Sequence, residues 1–422
     1  MMNLESSVQA FVRQGFAHQF GKPAVAVKDD PEWSKVRDTG TRLWLDTGDI
    51  DEAGKLWNSS FEALTTNNTL LNKEIQKGIY DDLVAKAARV VSDAAPKISR
   101  QDLILEIAFI LNAHHALRLV DRFDARVSVE LHTDLSDDVE RTVAYGKRYF
   151  AICPERFYVK VPLTPAGYLG ARGLVQAGIP INFTLGFSAR HNHVASLLTQ
   201  PLFVNVFLGR LNSFVADNKL GDGQNVGEKA TLATQRAVLD LRTAGRTQTK
   251  LIAASIRSGA QIADLASVDV HTMPTKAAAE YRAHPKPKVT SQVANDPDVP
   301  LAPGVTFGQF NGETLWAVPQ KFKDAVEDLL RKNLDALQPG DLQSHFEKAG
   351  FPDFLPRWSA ADIQTAKKDG KIPVYATWKD RLGSGRIGLD ALMNLSALYS
   401  FATDQKALDD RIRSLLKKAN IL

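Results

Sequence analysis

FYVKVPL, residues 157–163, places Lys160 inside an otherwise apolar run. A run this short, built from aromatic and β-branched residues, reads as a strand. An ammonium within such a strand is unusual, because burying it unpaired is costly. Two readings follow for Lys160. It reaches solvent or a carboxylate at the strand end, or it is an amine nucleophile held among apolar neighbours, where burial favours the uncharged form.

Working outward, the same pattern recurs on both sides. The runs are LWLDTGD (43–49), ALTTN (63–67), VSVELH (127–132), PINFTLGF (180–187), FVNVFLGR (203–210), LIAASIR (251–257) and VDVHTMP (268–274). Most precede a helical pattern, such as Glu228–Ala244, where Ala233, Ala237, Val238 and Leu241 share a face. Short apolar strands alternating with amphipathic helices argue for a parallel sheet. Eight runs in about 240 residues is the count and size of an α/β (β/α)8 TIM barrel. An open doubly wound sheet would want a glycine-rich first turn, and DTGD stands there instead. The barrel is therefore the expected fold.

Around it the chain divides. Residues 1–40 suggest an N-terminal helix (Val8, Phe11, Val12, Phe16) and a polar linker, and residues 41–283 carry the barrel. Residues 284–320 open with five prolines between His284 and Gly304 and read as an extended linker or long loop. Residues 321–422 form a mostly helical C-terminal appendage. Phe322, Val326, Leu329, Leu330 and Leu337 mark one helix, a Ser359–Asp362 capping box a second, and Leu408, Ile412, Leu415 and Leu416 the last. Two roles suit this appendage: covering the barrel mouth, or mediating a homodimer.

Bulk properties narrow the classes. With 422 residues, 44% hydrophobic, 24% charged and a net charge of +4, the composition is that of a globular chain, with no global argument for nucleic acid or anionic membrane. The single cysteine, Cys153, cannot form an intramolecular disulfide, and no Cys/His cluster has zinc-ligand spacing. The N-terminus lacks a signal-peptide apolar stretch. No apolar run approaches the ~20 residues of a membrane span, so a cytoplasmic location is expected.

The strands also carry polar residues. Asp46 ends LWLD, Glu130 follows VSV, and Thr184 sits within INFTL. Imine formation on a lysine needs proton shuttles, and these groups could serve, although each carboxylate could equally be an ion pair or a cap. Arg210 and Arg257 end two strands, with Ser255 nearby, and forked guanidiniums could hold a phosphate. Rim ion pairs are the alternative.

Together these segments resemble the transaldolase family. DTGD (46–49) resembles its first-strand signature and LTTNNTLL (64–71) its second-strand motif. VKVPLTPAG (159–167) is similar to the catalytic-lysine segment and INFTLGFS (181–188) to the fifth-strand motif. VFLGR (206–210) and AASIRS (253–258) resemble the arginine-bearing segments. The resemblance implies that Lys160 forms a Schiff base with a ketose, and that Asp46 is base and acid at the C4 hydroxyl. Glu130 and Thr184 would hold a proton-shuttling water. Asn67 and Asn182 would bind a dihydroxyacetone moiety, with Thr65, Asn205 and Phe207 lining the pocket, and Arg210, Ser255 and Arg257 would bind the phosphate. Phe207 stands where a fructose-6-phosphate aldolase of the family typically has Tyr, which favours transfer over cleavage. Beside a C-terminal appendage longer than the resemblance leads one to expect, three departures stand out. Asn205-Val206 replace Ser-Pro, Asn68 replaces a proline, and His132 stands where an acid is usual.

The expected activity is transfer of a dihydroxyacetone unit between sugar phosphates, with no metal or organic cofactor, since the protonated imine is the electron sink. An aldolase of the same family, or a non-catalytic barrel that binds partners through its appendage, are the rivals. GSGRIG (383–388) fits a dinucleotide-loop pattern, but nothing strand-like follows its helix, so it reads as a loop, even if Lys371–Trp378 is a strand. His114-His115 read as core or surface residues. His191 and His193 read as a solvated helix start.

Overall fold

In the computed structural model, which describes residues 3–23 and 28–421, all eight runs are strands. They are Arg42–Asp46 (β1), Phe61–Thr65 (β2), Arg126–Glu130 (β3), Phe157–Pro162 (β4), Ile181–Thr184 (β5), Phe203–Phe207 (β6), Lys250–Ala254 (β7) and Val270–Met273 (β8). Each pairs in parallel with the next, and β8 pairs with β1, closing the barrel. The α/β (β/α)8 architecture is as expected.

Strand alternation sends every second side chain inward. At the N-terminal end of the barrel, Trp44, Tyr158 and Phe203 meet as an aromatic plug, with ring centroids 4.7–5.7 Å apart. Two residues further along the same strands come Asp46, Lys160 and Asn205. Register aligns them with polar neighbours: Asp46 with Thr65, Glu130 with Lys160, and Lys160 with Asn182. The strands thus run from an apolar end to a polar one, and the polar end is the C-terminal face, where barrels of this kind carry their sites.

Several local expectations change. Lys371–Trp378 is not a strand: Tyr375–Gly383 is a helix, and Lys371 lies in the turn before it. His191 and His193 are buried rather than solvated, because the helix Ala189–Val194 is covered by the C-terminal segment. His115 is a core residue whose Nδ1 lies 2.7 Å from the Tyr80 hydroxyl. One helix, Arg100–Phe123, is long and apolar enough to cross a membrane by length and composition, contrary to the expectation of no such run, but 89% of its apolar window is buried inside the protein. Its apolarity serves the core between β2 and β3. The N-terminal helix spans Leu4–Val12, and a second, Pro31–Arg37, precedes β1.

The chain beyond β8 packs back onto the barrel. Its last helix, Leu389–Lys418, is a single 30-residue element, so the Leu408–Leu416 pattern belongs to the same helix as the residues following GSGRIG. This helix crosses the C-terminal mouth. Near its start, Asp390 is fully buried and accepts from Arg190 Nε and Nη2, both at 2.7 Å, and from Ser188 Oγ at 2.7 Å. Burial alone would raise the Asp390 pKa, but the Arg190 guanidinium prevails and holds it down. Asp353 takes the third face of Arg190 at 2.8 Å. One turn on, the Asn394 amide donates to the carbonyls of Leu163 (2.9 Å) and Leu185 (2.8 Å), which follow β4 and β5. The GSGRIG run ends against this lock. Gly388 abuts the Arg190 guanidinium, where a Cβ would overlap, which accounts for that glycine without a dinucleotide.

Candidate active site

A cavity of about 130 Å³ opens at the C-terminal face. Its wall includes Asp46, Thr65, Asn67, Lys160, Asn182, Asn205, Phe207, Arg210, Ser255 and Arg257. Ten of the twelve residues read from the sequence therefore converge there. Glu130 and Thr184 are not part of that wall: Glu130 lies against the lysine, and Thr184 is buried on β5 in register with Pro162.

Lys160 is buried at the centre of β4. Its Nζ donates to the Thr66 carbonyl at 3.0 Å and lies 3.2 Å from Glu130 Oε2. That second contact is an ion pair without hydrogen-bond alignment, so Oε2 has no hydrogen-bond partner among the described residues. Burial pushes the Glu130 carboxyl up. Lys160 pulls it back down only in part, and Asp46 adds to the rise. Asp46 behaves likewise: burial raises its pKa, against the Lys160 charge and a 2.8 Å hydrogen bond from Thr65 Oγ1. Two carboxyls with raised pKa beside one amine can hand protons on rather than remain fixed charges.

Behind Glu130 is a void of about 10 Å³, bordered by Asn68, His132 and Gln405 among others, which is the size of about one water molecule. His132 Nε2 lies 3.3 Å from Asp409 on the C-terminal helix. The Thr184 hydroxyl and Asn182 Oδ1 are buried without partners among the described residues, although Asn182 Nδ2 donates to Ser128 at 2.9 Å. Asn67 caps the helix Asn68–Gln76 by accepting from the Leu70 amide at 2.8 Å, which leaves its amide hydrogens to face the cavity. Asn205 accepts from the Gly186 amide through Oδ1 at 2.8 Å, so it too keeps donors free.

On the other side of the cavity, Arg210 and Arg257 come together. Gly209 makes this approach geometrically feasible: a Cβ there would overlap the Ser255 carbonyl and the Arg257 side chain. Ser255 itself holds a left-handed backbone, φ 64°, a strained conformation for a residue with a Cβ. Arg210 is buried, its Nη1 lacks a partner among the described residues, and burial followed by repulsion from Arg257 pushes it down to about 10. Burial also lowers Arg257. Neither forms an ion pair among the described residues, so they are not rim ion pairs. Two such guanidiniums, uncompensated at one end of a cavity, can hold a dianion.

Thr69, Thr272, Lys371 and Phe401 are among the further residues that line the cavity without having been read from the sequence. Thr272 lies 2.6 Å from Thr65 across the barrel. Phe401, on the C-terminal helix, meets the Phe207 ring edge-on at 6.2 Å and lies 5.2 Å from the Arg210 guanidinium. Threonines at strand ends could have been suspected from their motifs. Nothing local in sequence marks Lys371 or Phe401, because their place depends on how a distant helix docks. Among the described residues, no group of three or more His, Cys, Asp or Glu side chains is placed to hold a metal ion.

Residues 43–332 match the family described as transaldolase/fructose-6-phosphate aldolase. The chain belongs to that family. Related proteins carry the name transaldolase. A transaldolase from Xanthomonas campestris pv. campestris (strain B100) is 31% identical over 231 residues, 53% of this chain and 70% of the relative. A transaldolase from Protochlamydia amoebophila (strain UWE25) is 27% identical over 240 residues, 55% of this chain and 72% of the relative. "Transaldolase 2" of Nostoc punctiforme is 26% identical over 212 residues, 47% of this chain and 51% of the relative. Membership makes this chain a transferase-type enzyme on a TIM barrel. The family match ends at residue 332, whereas Lys371, Phe401 and the helix that carries Asp390 and Asn394 lie beyond it.

Proposed function

We propose that this protein moves a dihydroxyacetone unit from a ketose phosphate to an aldose phosphate through an imine on Lys160. The observation that carries the reading is the placement of a buried lysine amine 3.2 Å from one carboxyl, beside a second, with two unpaired guanidiniums across the same cavity. The Lys160 amine attacks the C2 carbonyl of the ketose. Glu130 takes and returns protons as the carbinolamine loses water, with Thr184 helping to hold that water. Asp46 then removes the C4 hydroxyl proton, the C3–C4 bond breaks, and its electrons flow into the protonated imine. The aldehyde leaves, the enamine carbon adds to an acceptor aldehyde, and Asp46 gives the proton back. Hydrolysis of the new imine frees Lys160.

The raised pKa of Asp46 suits this alternation of base and acid. Asn67 and Asn205 supply donors to the hydroxyls of the three-carbon unit and Asn182 an acceptor oxygen, while Thr65 orients Asp46. Arg210, Ser255 and Arg257 take the phosphate. Phe207 closes the pocket with an apolar ring, where a tyrosine would add a hydroxyl able to protonate the enamine, so the balance tips to transfer. The donor and acceptor we assign are sedoheptulose 7-phosphate or fructose 6-phosphate and a matching aldose phosphate, in the cytoplasmic pentose phosphate pathway.

The test is trapping. The protein is incubated with fructose 6-phosphate and borohydride, and the adduct is located by mass spectrometry. Absence of an adduct, or its persistence in Lys160→Ala, sinks the mechanism. Adding erythrose 4-phosphate then separates the activities: transfer yields sedoheptulose 7-phosphate, whereas a cleaving aldolase releases free dihydroxyacetone.

A further inference from the structure

The two cavity guanidiniums have a third cation beside them. Lys371 lines the same cavity, though it belongs to the turn between the helices Ala360–Asp369 and Tyr375–Gly383, outside the barrel and beyond the family match. We infer that Lys371 is a ligand of the substrate's phosphate group, delivered across the barrel mouth by the C-terminal segment. This rests on the reading that the substrate is phosphorylated.

The charges facing Lys371 are Arg210 from the helix after β6, Arg257 from the loop after β7, Asp404 from the C-terminal helix, and Lys73 from the helix after β2. Asp404 is already engaged by the Thr69 hydroxyl. Among the described residues, none of Arg210, Arg257 and Lys371 has an ion-pair partner. Three cations converging on one end of a cavity repel one another unless an anion joins them. A phosphate dianion offers three equivalent oxygens, enough for two forked guanidiniums and one ammonium. Lys371 is exposed at the rim, so its flexible stem can reach a ligand that enters from outside. Local burial, then repulsion by Arg210 and Arg257, pushes its ammonium down to about 8, and solvent at the rim moderates that shift. A bound dianion favours the charged form, so affinity should fall as pH rises through this value, while the arginines stay charged.

The probe is inorganic phosphate, titrated calorimetrically into the full chain and its variants at pH 7 and pH 9. We expect Lys371→Gln to bind about tenfold more weakly than the unmodified protein at pH 7, the loss of one charge-assisted contact. The advantage of the unmodified protein over Lys371→Gln should shrink several-fold between pH 7 and pH 9, a ratio in which the ionisation of phosphate itself cancels. Lys371→Arg should bind tightly at both. Equal affinity of the unmodified protein and Lys371→Gln at both pH values overturns the inference, and so does failure of the unmodified protein to bind phosphate. If phosphate behaves as expected but fructose 6-phosphate and borohydride leave no adduct, the Schiff-base reading fails and the anion site stands.

Discussion

The two ends of the barrel interior are built from the same strands and do opposite things. At the N-terminal end, Trp44, Tyr158 and Phe203 fill the space with rings in mutual contact. Two residues later on those strands, Asp46, Lys160 and Asn205 leave a cavity lined by polar atoms. The plug satisfies packing and leaves no room. The mouth accepts a buried ammonium, two carboxyls with raised pKa and several polar atoms without partners among the described residues, all of which cost stability. One end holds the barrel together so that the other can be held in an arrangement that would not be stable by itself. Function and stability are divided along the strand by a single step in the alternation.

The sharpest break in this division is Lys160→Ala. Activity should fall by at least about 10⁴-fold, the cost of deleting a covalent nucleophile, while thermal unfolding falls by only a few degrees, because Glu130, left without its ion-pair partner, already has a raised pKa and can take up a proton. Steady-state kinetics and calorimetry on the same preparation read both. Trp44→Ala should do the reverse, destabilising by about 3–5 kcal/mol in urea, with the adduct on Lys160 still forming in whatever fraction remains folded.

A third prediction concerns the wall rather than either end. His115, His191, His193 and His271 are buried neutral, each pushed down to about 4 by burial. Thr272 faces inward to meet Thr65, so His271 lies on the outer side of β8, where its Nε2 is 3.0 Å from the Leu265 carbonyl. With the folded pKa below the unfolded value near 6.5, the unfolded chain takes up protons first as pH falls. Stability is therefore full above about pH 6.5 and declines toward pH 4. Melting temperatures across that window should fall steadily, and a flat profile would show that the wall does not titrate. The smallest effect is at the mouth. Thr65→Val removes a hydrogen bond that lowers the Asp46 pKa. The acid limb of the kcat/KM profile should move to higher pH, with a loss of about fivefold at neutral pH for one hydrogen bond.

The division was legible in the strands because it is local. Each strand is a few residues long, and a polar residue at its C-terminal end stands out against apolar neighbours, as Lys160 does in FYVKVPL and Asp46 in LWLD. The closing wall of the site was not legible. Arg190 and Asp390 form a buried pair across 200 positions, and Phe401 reaches Phe207 only once the last helix has docked. Helical periodicity says that Leu389–Lys418 has an apolar face but not which surface receives it. For the same reason His191 and His193 looked solvated: what covers them is far away in sequence.

The docked C-terminal helix also sets an order of events. Thr69, just past β2, is tied to Asp404 near the other end of the sequence, and Arg210 has aromatic cover from Phe401 as well as Phe207. Chains emerge from the ribosome N-terminus first and fold largely as they emerge. The strands that carry the lysine are therefore made long before the helix that roofs them. A nascent barrel therefore holds Lys160 in an open, wet mouth, and the cavity is enclosed only once the helix Leu389–Lys418 has been made and has settled into place.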